Sequence, residues 1–219
     1  MSKQRLLFEK SGRAVYISHL DLMRTMKRSF SRADIMLRHS EGFNPHPLIS
    51  MALPLSVGQE SVCELMDFEL IGDMPGDLIS RLNAALPEGI RALDVYEAGR
   101  KIKEIKWIRA RCLLSYDRGC TPELCADIRS FLERDSIIIR KKTKRGEGEL
   151  ELSAHMKLCE LEQTDSETIR LEVLVSAAEP TVNPTLIVSA FQQLKPELEP
   201  DFIKVRRLEL YDRDMKVFR

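Results

Sequence analysis

The sequence predicts an α+β protein made of two tandem βαββαβ modules with antiparallel sheets. Three observations carry that expectation. The chain has 219 residues, which suits two domains of about 100 residues each. Apolar residues switch between two-residue and helical spacing in the same order twice. Charge alternates as well: residues 1–40 carry a balance of +6, 41–100 of −7, 101–145 of +7, 146–200 of −8 and 201–219 of +2. Each half therefore has a basic front and an acidic back.

In the first half, "RLLFEK" reads as a strand, followed by a turn at Ser11-Gly12 and a short extended "AVYIS". Ser18 and Asp21 form an S-x-x-D box that opens a helix. Leu22, Met23, Met26, Phe30 and Ala33 share one face of it, and Arg24, Arg28 and Arg32 follow at i, i+4 and i+8 on the other. "DIMLRHS" reads as a strand. "EGFNPHP" is a loop, because two prolines bracket His46 and exclude regular helix. "LISMALPL" and "SVCELMDFELI" read as strands. "MPGDLISRLNAALPEG" is a helix with Pro75 near its start and Pro87 and Gly89 past its end, and "IRALDVYEAG" closes the half as a strand.

The second half repeats the order. "IKWIRARCLLSYD" is a strand, and "TPELCADIRSFLERD" is a helix with Thr121 as N-cap and Pro122 at its first position. Glu123 favours the positive end of that helix. "SIIIRKKT" is a strand with a basic end. "GELELSAHMKLCELEQ" and "TIRLEVLVSA" form a hairpin around "TDSE". "NPTLIVSAFQQL" is a helix capped by Asn183 with Pro184 next, and "FIKVRRLELYD" is the last strand. Both halves thus follow the ferredoxin-like order. The expected modules are 1–99 and 106–219, joined by "GRKIKEI".

Composition narrows the function classes. Lys+Arg and Asp+Glu are equal at 34 each, so no whole-molecule charge draws the protein to nucleic acid or to an anionic membrane. No run of about 18 apolar residues occurs, so no membrane span is expected. The start, "MSKQRLLFEKSGR", is too polar for a secretory signal. Five cysteines without framework spacing read as free thiols in a reducing cytoplasm. A cytoplasmic protein is the expectation.

Candidate chemistry concentrates in Tyr16–Leu55, which holds His19, His39 and His46 among the chain's four histidines. His19 falls on the apolar side of its helix. It either seals the top of the core or lines a cleft at the helix start, facing the GFNPHP loop. His46, locked between prolines, has little backbone freedom, which suits either a site or a plain turn. No H-x-x-x-H or paired-cysteine spacing exists, and Cys112, Cys120 and Cys125 match no cluster or zinc pattern, so no metal or cofactor is expected. G-x-G-x-x-G, P-loop, G-x-S-x-G and H-E-x-x-H motifs are absent, so no catalytic residues are assigned. Two histidines could still act as general acid and base in RNA cleavage. The basic clusters are the stronger lead: Arg24, Lys27, Arg28 and Arg32 along a helix, and "RKKTKR", Arg140 to Arg145. Such runs are commonly solvated faces. Their recurrence at the front of both halves instead suggests a path for a phosphate backbone or for an acidic protein partner.

"LLFEKSGRAVYISHLDLMRTMKRSFSRADI", "HSEGFNPHPLISMALPLSVGQES" and "ELMDFEL" resemble an uncharacterised bacterial radical-SAM-associated family. Its members occur as small separate proteins or as C-terminal extensions of cobalamin-type radical SAM proteins. "RKKTKRGEGELEL" and "NPTLIVSAFQQL" extend the likeness over nearly the whole chain. The resemblance marks Ser18, His19, Asp21, Arg24, Gly42, Asn44, Pro45, His46 and Pro47, and it implies partnership with a radical SAM enzyme in RNA or ribosome-related modification. This chain has no C-x-x-x-C-x-x-C and so cannot hold the iron–sulfur cluster of a radical SAM core. The double ferredoxin-like order also resembles that of the endoribonucleases that process CRISPR repeats, which use a histidine near the first helix.

The expectation is an accessory protein without catalytic activity that works with a radical SAM protein and either binds RNA, with tRNA and rRNA as candidates, or presents an RNA- or ribosome-related substrate. His19, Asn44 and His46 would supply polar contacts in one cleft, with Asp21 as a further binding residue. Arg24, Arg28, Arg140, Lys141, Lys142, Lys144 and Arg145 would contact phosphates. The alternatives are a metal-independent endoribonuclease using His19 and His46, and a pure protein-docking module.

Overall fold

A computed structural model describes residues 3–143 and 146–219. The architecture is mixed α+β, with antiparallel strand pairing within each unit and, among the described residues, four α-helices. Two compact units divide the chain. One runs to Glu104 and takes in Arg219; the other spans Ile105–Phe218.

The first unit contains β1 (Gln4–Lys10), α1 (His19–Arg32), β2 (Ile49–Ala52), β3 (Glu60–Phe68), α2 (Leu78–Ala85) and β4 (Ile90–Glu97). Its strands lie in the order β4-β1-β3-β2, every pair antiparallel. α1 exists where the sequence puts it. The Ser18 hydroxyl accepts from Asp21 N–H at 3.2 Å, so the cap satisfies one of the orphan donors of the first turn. Leu22, Met26 and Phe30 are buried from α1 onto Leu6, Phe8, Met66 and Phe68 of the sheet. The Phe30 and Phe68 rings meet edge to face at 5.0 Å. Each such side chain contributes about 1.5–3 kcal/mol of apolar burial. Arg81 of α2 closes the far end of α1, donating to Ala33 O at 2.9 and 2.6 Å and to Asp34 O at 2.6 Å.

One glycine in this unit is dictated by close approach. Gly89 has φ +87°, and a Cβ there would collide with Ser11 O and stand 2.9 Å from Ala14 Cβ. Ser11 N–H also donates to Gly89 O at 2.8 Å. The turn that leads from β1 toward α1 therefore packs directly on the turn before β4.

The second unit contains β5 (Trp107–Ser115), α3 (Pro122–Leu132), β6 (Ile138–Thr143), β7 (Gly146–Glu151), β8 (Met156–Gln163), β9 (Thr168–Ser176), α4 (Leu186–Leu194) and β10 (Phe202–Tyr211). Its main sheet has the order β10-β5-β9-β8, and β6 and β7 form a separate hairpin. β5 alternates as a strand with one covered face should: Ile108, Ala110, Cys112 and Leu114 are buried and the residues between them are half-exposed. Phe131 of α3 and Phe191 of α4 pack edge to face at 5.4 Å.

Several elements depart from the sequence expectation. "DIMLRHS" makes only isolated bridges, Leu37 to Leu70 and His39 to Pro47, because the chain leaves the sheet at Arg38 and returns at Leu48. α2 starts at Leu78, three residues beyond Pro75, since Pro75 and Gly76 are spent in the preceding turn. β2 ends at Ala52, before Leu53 at φ +45° and Pro54. The stretch 148–163 is no single hairpin arm. A 3₁₀ turn at Ser153–His155 divides it into β7 and β8. α4 begins at Leu186, with Asn183 Oδ1 accepting from Thr185 N–H at 3.1 Å in the turn before it.

Candidate functional site

The two histidine motifs are fixed at opposite ends of β3. At one end Lys10 pairs with Ser61, and its buried Nζ donates to Val15 O at 3.3 Å and Ile17 O at 3.0 Å. Gly58 N–H donates to Val15 O at 2.9 Å. These bonds set the entry to α1, where His19 is half-buried on the first turn. Burial pushes the Lys10 ammonium below its ordinary pKa, while the Glu64 carboxylate works the other way. At the other end, Arg38 N–H donates to Glu69 O at 2.8 Å and Glu69 N–H donates to Leu48 O at 3.2 Å. The eight residue-to-residue steps of extended chain from Ser61 to Glu69 span about 26 Å. His46 is only two residues from Leu48, so it stays at the Glu69 end. A single cleft uniting His19, Asn44 and His46 is therefore not formed. The sequence did not reveal this because which end of β3 each motif reaches depends on register and chain direction between distant segments.

At the α1 start, Asp21 is committed locally. The Ser18 hydroxyl donates to its carboxylate at 2.8 Å and Arg24 Nη1 donates at 2.9 Å. Ser18, and after it Arg24, hold the Asp21 carboxyl below the usual carboxylate range. Arg24 is thus partly neutralised. Arg28 and Arg32 are exposed on the same row, and among the described residues neither has an acidic partner.

The GFNPHP loop sits on a short stem. His39 bridges Pro47, Leu48 N–H donates to Arg38 O at 2.8 Å, and Ser40 N–H donates to His46 O at 2.9 Å. The Ser40 hydroxyl accepts from His46 N–H at 3.1 Å and lies 2.9 Å from His46 Nδ1. The imidazole is oriented from one side and exposed on the other. Asn44 is exposed; its carbonyl lies 3.5 Å from His46 Nδ1. Gly42 stands at φ +118°, a backbone region that side chains rarely adopt. Beside it Phe43 is fully exposed at 112%. Met36 and Ile71, joined by Ile71 N–H to Met36 O at 2.9 Å, are exposed as well.

Between the last turns of α1 and the stem lies a groove of ≈ 340 Å³. Its walls are Ile35, Leu37, Pro47 and Ile71, and its polar rim includes Lys27, Ser31 and His39. His39 Nδ1 lies 3.0 Å from Leu37 O. A carbonyl only accepts, so Nδ1 carries the proton, and in the neutral ring Nε2 keeps its lone pair. Sequence reasoning did not assign His39 a role. The only available signal was its place just ahead of the loop, since its position beside Lys27 depends on the chain doubling back after α1.

The second basic cluster differs. Along the backbone, register sets Arg140 opposite Glu149 and Lys142 opposite Glu147. Arg140 is also fastened through its backbone: its N–H donates to Gln193 Oε1 at 2.8 Å, and Gln193 Nε2 donates to Arg140 O at 3.1 Å. Lys141 is half-buried. Lys144 and Arg145, and the side chain of Lys142, lie outside the described residues. Elsewhere in this unit, Glu172 is 3% exposed and takes Arg109 at 2.6 Å and Arg111 at 2.7 Å. Burial raises its carboxyl pKa, and the two guanidiniums more than reverse that, leaving it below the ordinary value. Among the described residues no cluster of three or more His, Cys, Asp or Glu is placed to hold a metal ion. No helix among them is long and apolar enough to cross a membrane.

A family model described as uncharacterized protein conserved in bacteria (DUF2344) matches residues 3–184. The chain belongs to this family. The match takes in both histidine motifs and the β6–β7 hairpin. No curated protein matches the sequence. Among solved structures, the chain is similar to one from a Cbf5-Nop10-Gar1 complex, at 11% identity and TM-score 0.52, covering 94% of this chain and 48% of the other. This chain thus spans about half the length of that structure, and the likeness concerns the fold alone. A second match, Thermus thermophilus Cse3 bound to an RNA representing a pre-cleavage complex, has 12% identity and TM-score 0.20, covering 93% and 98% of the two chains.

Proposed function

We propose that this member of the family is a non-catalytic accessory protein that binds RNA, with the exposed row of α1 as its phosphate contact. One observation carries this reading: Arg28 and Arg32 are exposed and, among the described residues, have no acidic partner, next to a groove rimmed by Lys27 and His39 and a loop that exposes Phe43. Unpaired arginines on one helix face attract a polyanion, and an exposed ring offers a stacking surface for an unpaired base. The separation of His19 from His46 argues for binding over cleavage, since a general acid and base must reach the same phosphodiester. The partnership with a radical SAM enzyme rests on the SHLDLMR and GFNPHP resemblance. The two units are read as ferredoxin-like modules, supported by the strand orders β4-β1-β3-β2 and β10-β5-β9-β8. tRNA and rRNA are the classes of target.

The test is binding of labelled RNA across a salt series. Wild type binds at low salt with a steep decline as salt rises. The double variant Arg28→Glu with Arg32→Glu loses at least tenfold at low salt and about two in salt slope. Absence of RNA binding at low salt overturns the reading. Capture of the radical SAM protein without RNA binding would instead favour the pure docking role, for which exposed Met36, Phe43 and Ile71 are the available surface.

A further inference from the structure

The groove beside α1 has features that phosphate binding does not require. Its walls are apolar, and its volume of ≈ 340 Å³ is on the scale of a small-molecule site. His39 presents a lone-pair acceptor at the rim, because Leu37 O takes the proton-bearing Nδ1. Ser31 adds a hydroxyl and Lys27 a cation. Asp34 also borders the groove, and Arg81 stands 3.7 Å from its carboxylate. Arg28 and Arg32 lie on the neighbouring row of the same helix. An apolar slot whose rim carries acceptors at His39, Ser31 and Asp34 and is bordered by cations complements a flat heterocycle that carries N–H donors and is joined to phosphates.

We propose that this groove receives one unstacked nucleobase of the bound RNA, with the base packed against Met36, Pro47 and Ile71 and a base N–H donated to His39 Nε2. The inference rests on the RNA-binding reading and deepens it: α1 holds the backbone and the groove reads the base. Lys27 would meet the phosphate next to that base. The stem bonds between residues 38–40 and 46–48 fix the far wall, so the slot is preformed. The site includes His39, Met36 and Ile71, which neither histidine motif contains.

Two probes of similar charge separate the two layers. Fluorescence anisotropy would compare ribo-oligonucleotide 12-mers of A, C and U with inorganic polyphosphate, which has phosphates and no bases. Wild type is expected to bind the best 12-mer at least tenfold more tightly than polyphosphate. His39→Ala and, separately, Met36→Glu should each lower 12-mer affinity by several-fold to about tenfold, leaving polyphosphate affinity and the salt slope unchanged. Both side chains are exposed, so folding is expected to survive, which circular dichroism would verify. Equal binding of 12-mers and polyphosphate, or variants that change both probes alike, overturns base reading while RNA binding stands. Failure of every probe to bind at low salt overturns both.

Discussion

The two units place an extra segment at the same point, after their first helix and before their second strand, and they build it in opposite ways. In the first unit residues 39–47 leave the sheet as a proline-stiffened loop in which Ser40 and His46 bond each other, while Phe43 faces solvent. In the second unit β6 and β7 form a regular hairpin. Ile139 and Leu150 anchor its base in the core, and acids oppose its bases across the register. The lesson concerns charge. "RKKTKR" is the denser basic run in the sequence, yet among the described residues Glu149 stands across from Arg140 in register, whereas Arg28 and Arg32 of α1 are exposed with no acidic partner. A charge run is a candidate binding surface where the fold sets no counter-charge across from it.

The ionic cores give the largest way to sharpen the comparison. Arg5 of β1 is 0% exposed and makes a two-pronged bond to Asp67 of β3, at 2.7 and 3.2 Å, with Arg100 O accepting at 2.8 Å. Asp67→Ala would remove the carboxylate from that buried guanidinium, and urea unfolding should show a loss of about 3–5 kcal/mol. Gly89→Ala, which forces a side chain into Ser11 and Ala14 at positive φ, should cost a further large share of stability in the same unit.

In the second unit Glu172→Gln should cost less, about 2 kcal/mol, because Arg109 and Arg111 remain about one-third exposed. Its effect should also depend on pH. The folded pKa of Glu172 lies below its unfolded value, so the stabilisation is present above the unfolded carboxylate pKa of about 4.3 and vanishes as pH falls through the folded value. Stability of the Gln variant should therefore fall less steeply than wild type under acid. An identical acid slope would remove the two-arginine fork as a stabilising element.

RNA binding is expected to break the symmetry between the two basic clusters. Arg140→Glu with Lys141→Glu should alter low-salt affinity less than threefold, against at least tenfold for the Arg28 and Arg32 pair. The reverse order would show that the hairpin, and not α1, carries the contact. The smallest effect concerns thiols. Cys159 is exposed and should react first with a maleimide. Burial pushes the Cys112 thiol up to about 12 and keeps it unreactive until unfolding; Cys63 is buried as well.

Much of this was readable residue by residue. Ser18 and Thr121 cap their helices as their local patterns require, and the face of Leu22, Met26 and Phe30 is buried as helical spacing demands. The buried ions were not readable, because Arg5, Lys10 and Asp67 sit in strands at positions no different in pattern from solvated ones. The bent path of "DIMLRHS" was equally hidden. An extended segment looks the same in sequence whether it pairs along a whole strand or touches the sheet twice and leaves.

By itself, the sequence determined the helices, most of the strands and the stiffness of the GFNPHP turn, because these depend on interactions among residues a few positions apart: caps, side-chain periodicity and proline's fixed φ. Only the tertiary structure decided that His19 and His46 stand at opposite ends of β3, that His39 joins Lys27 at a groove, and that two acids face the hairpin's bases. Those outcomes depend on register and chain direction between segments distant in sequence, which no local pattern encodes.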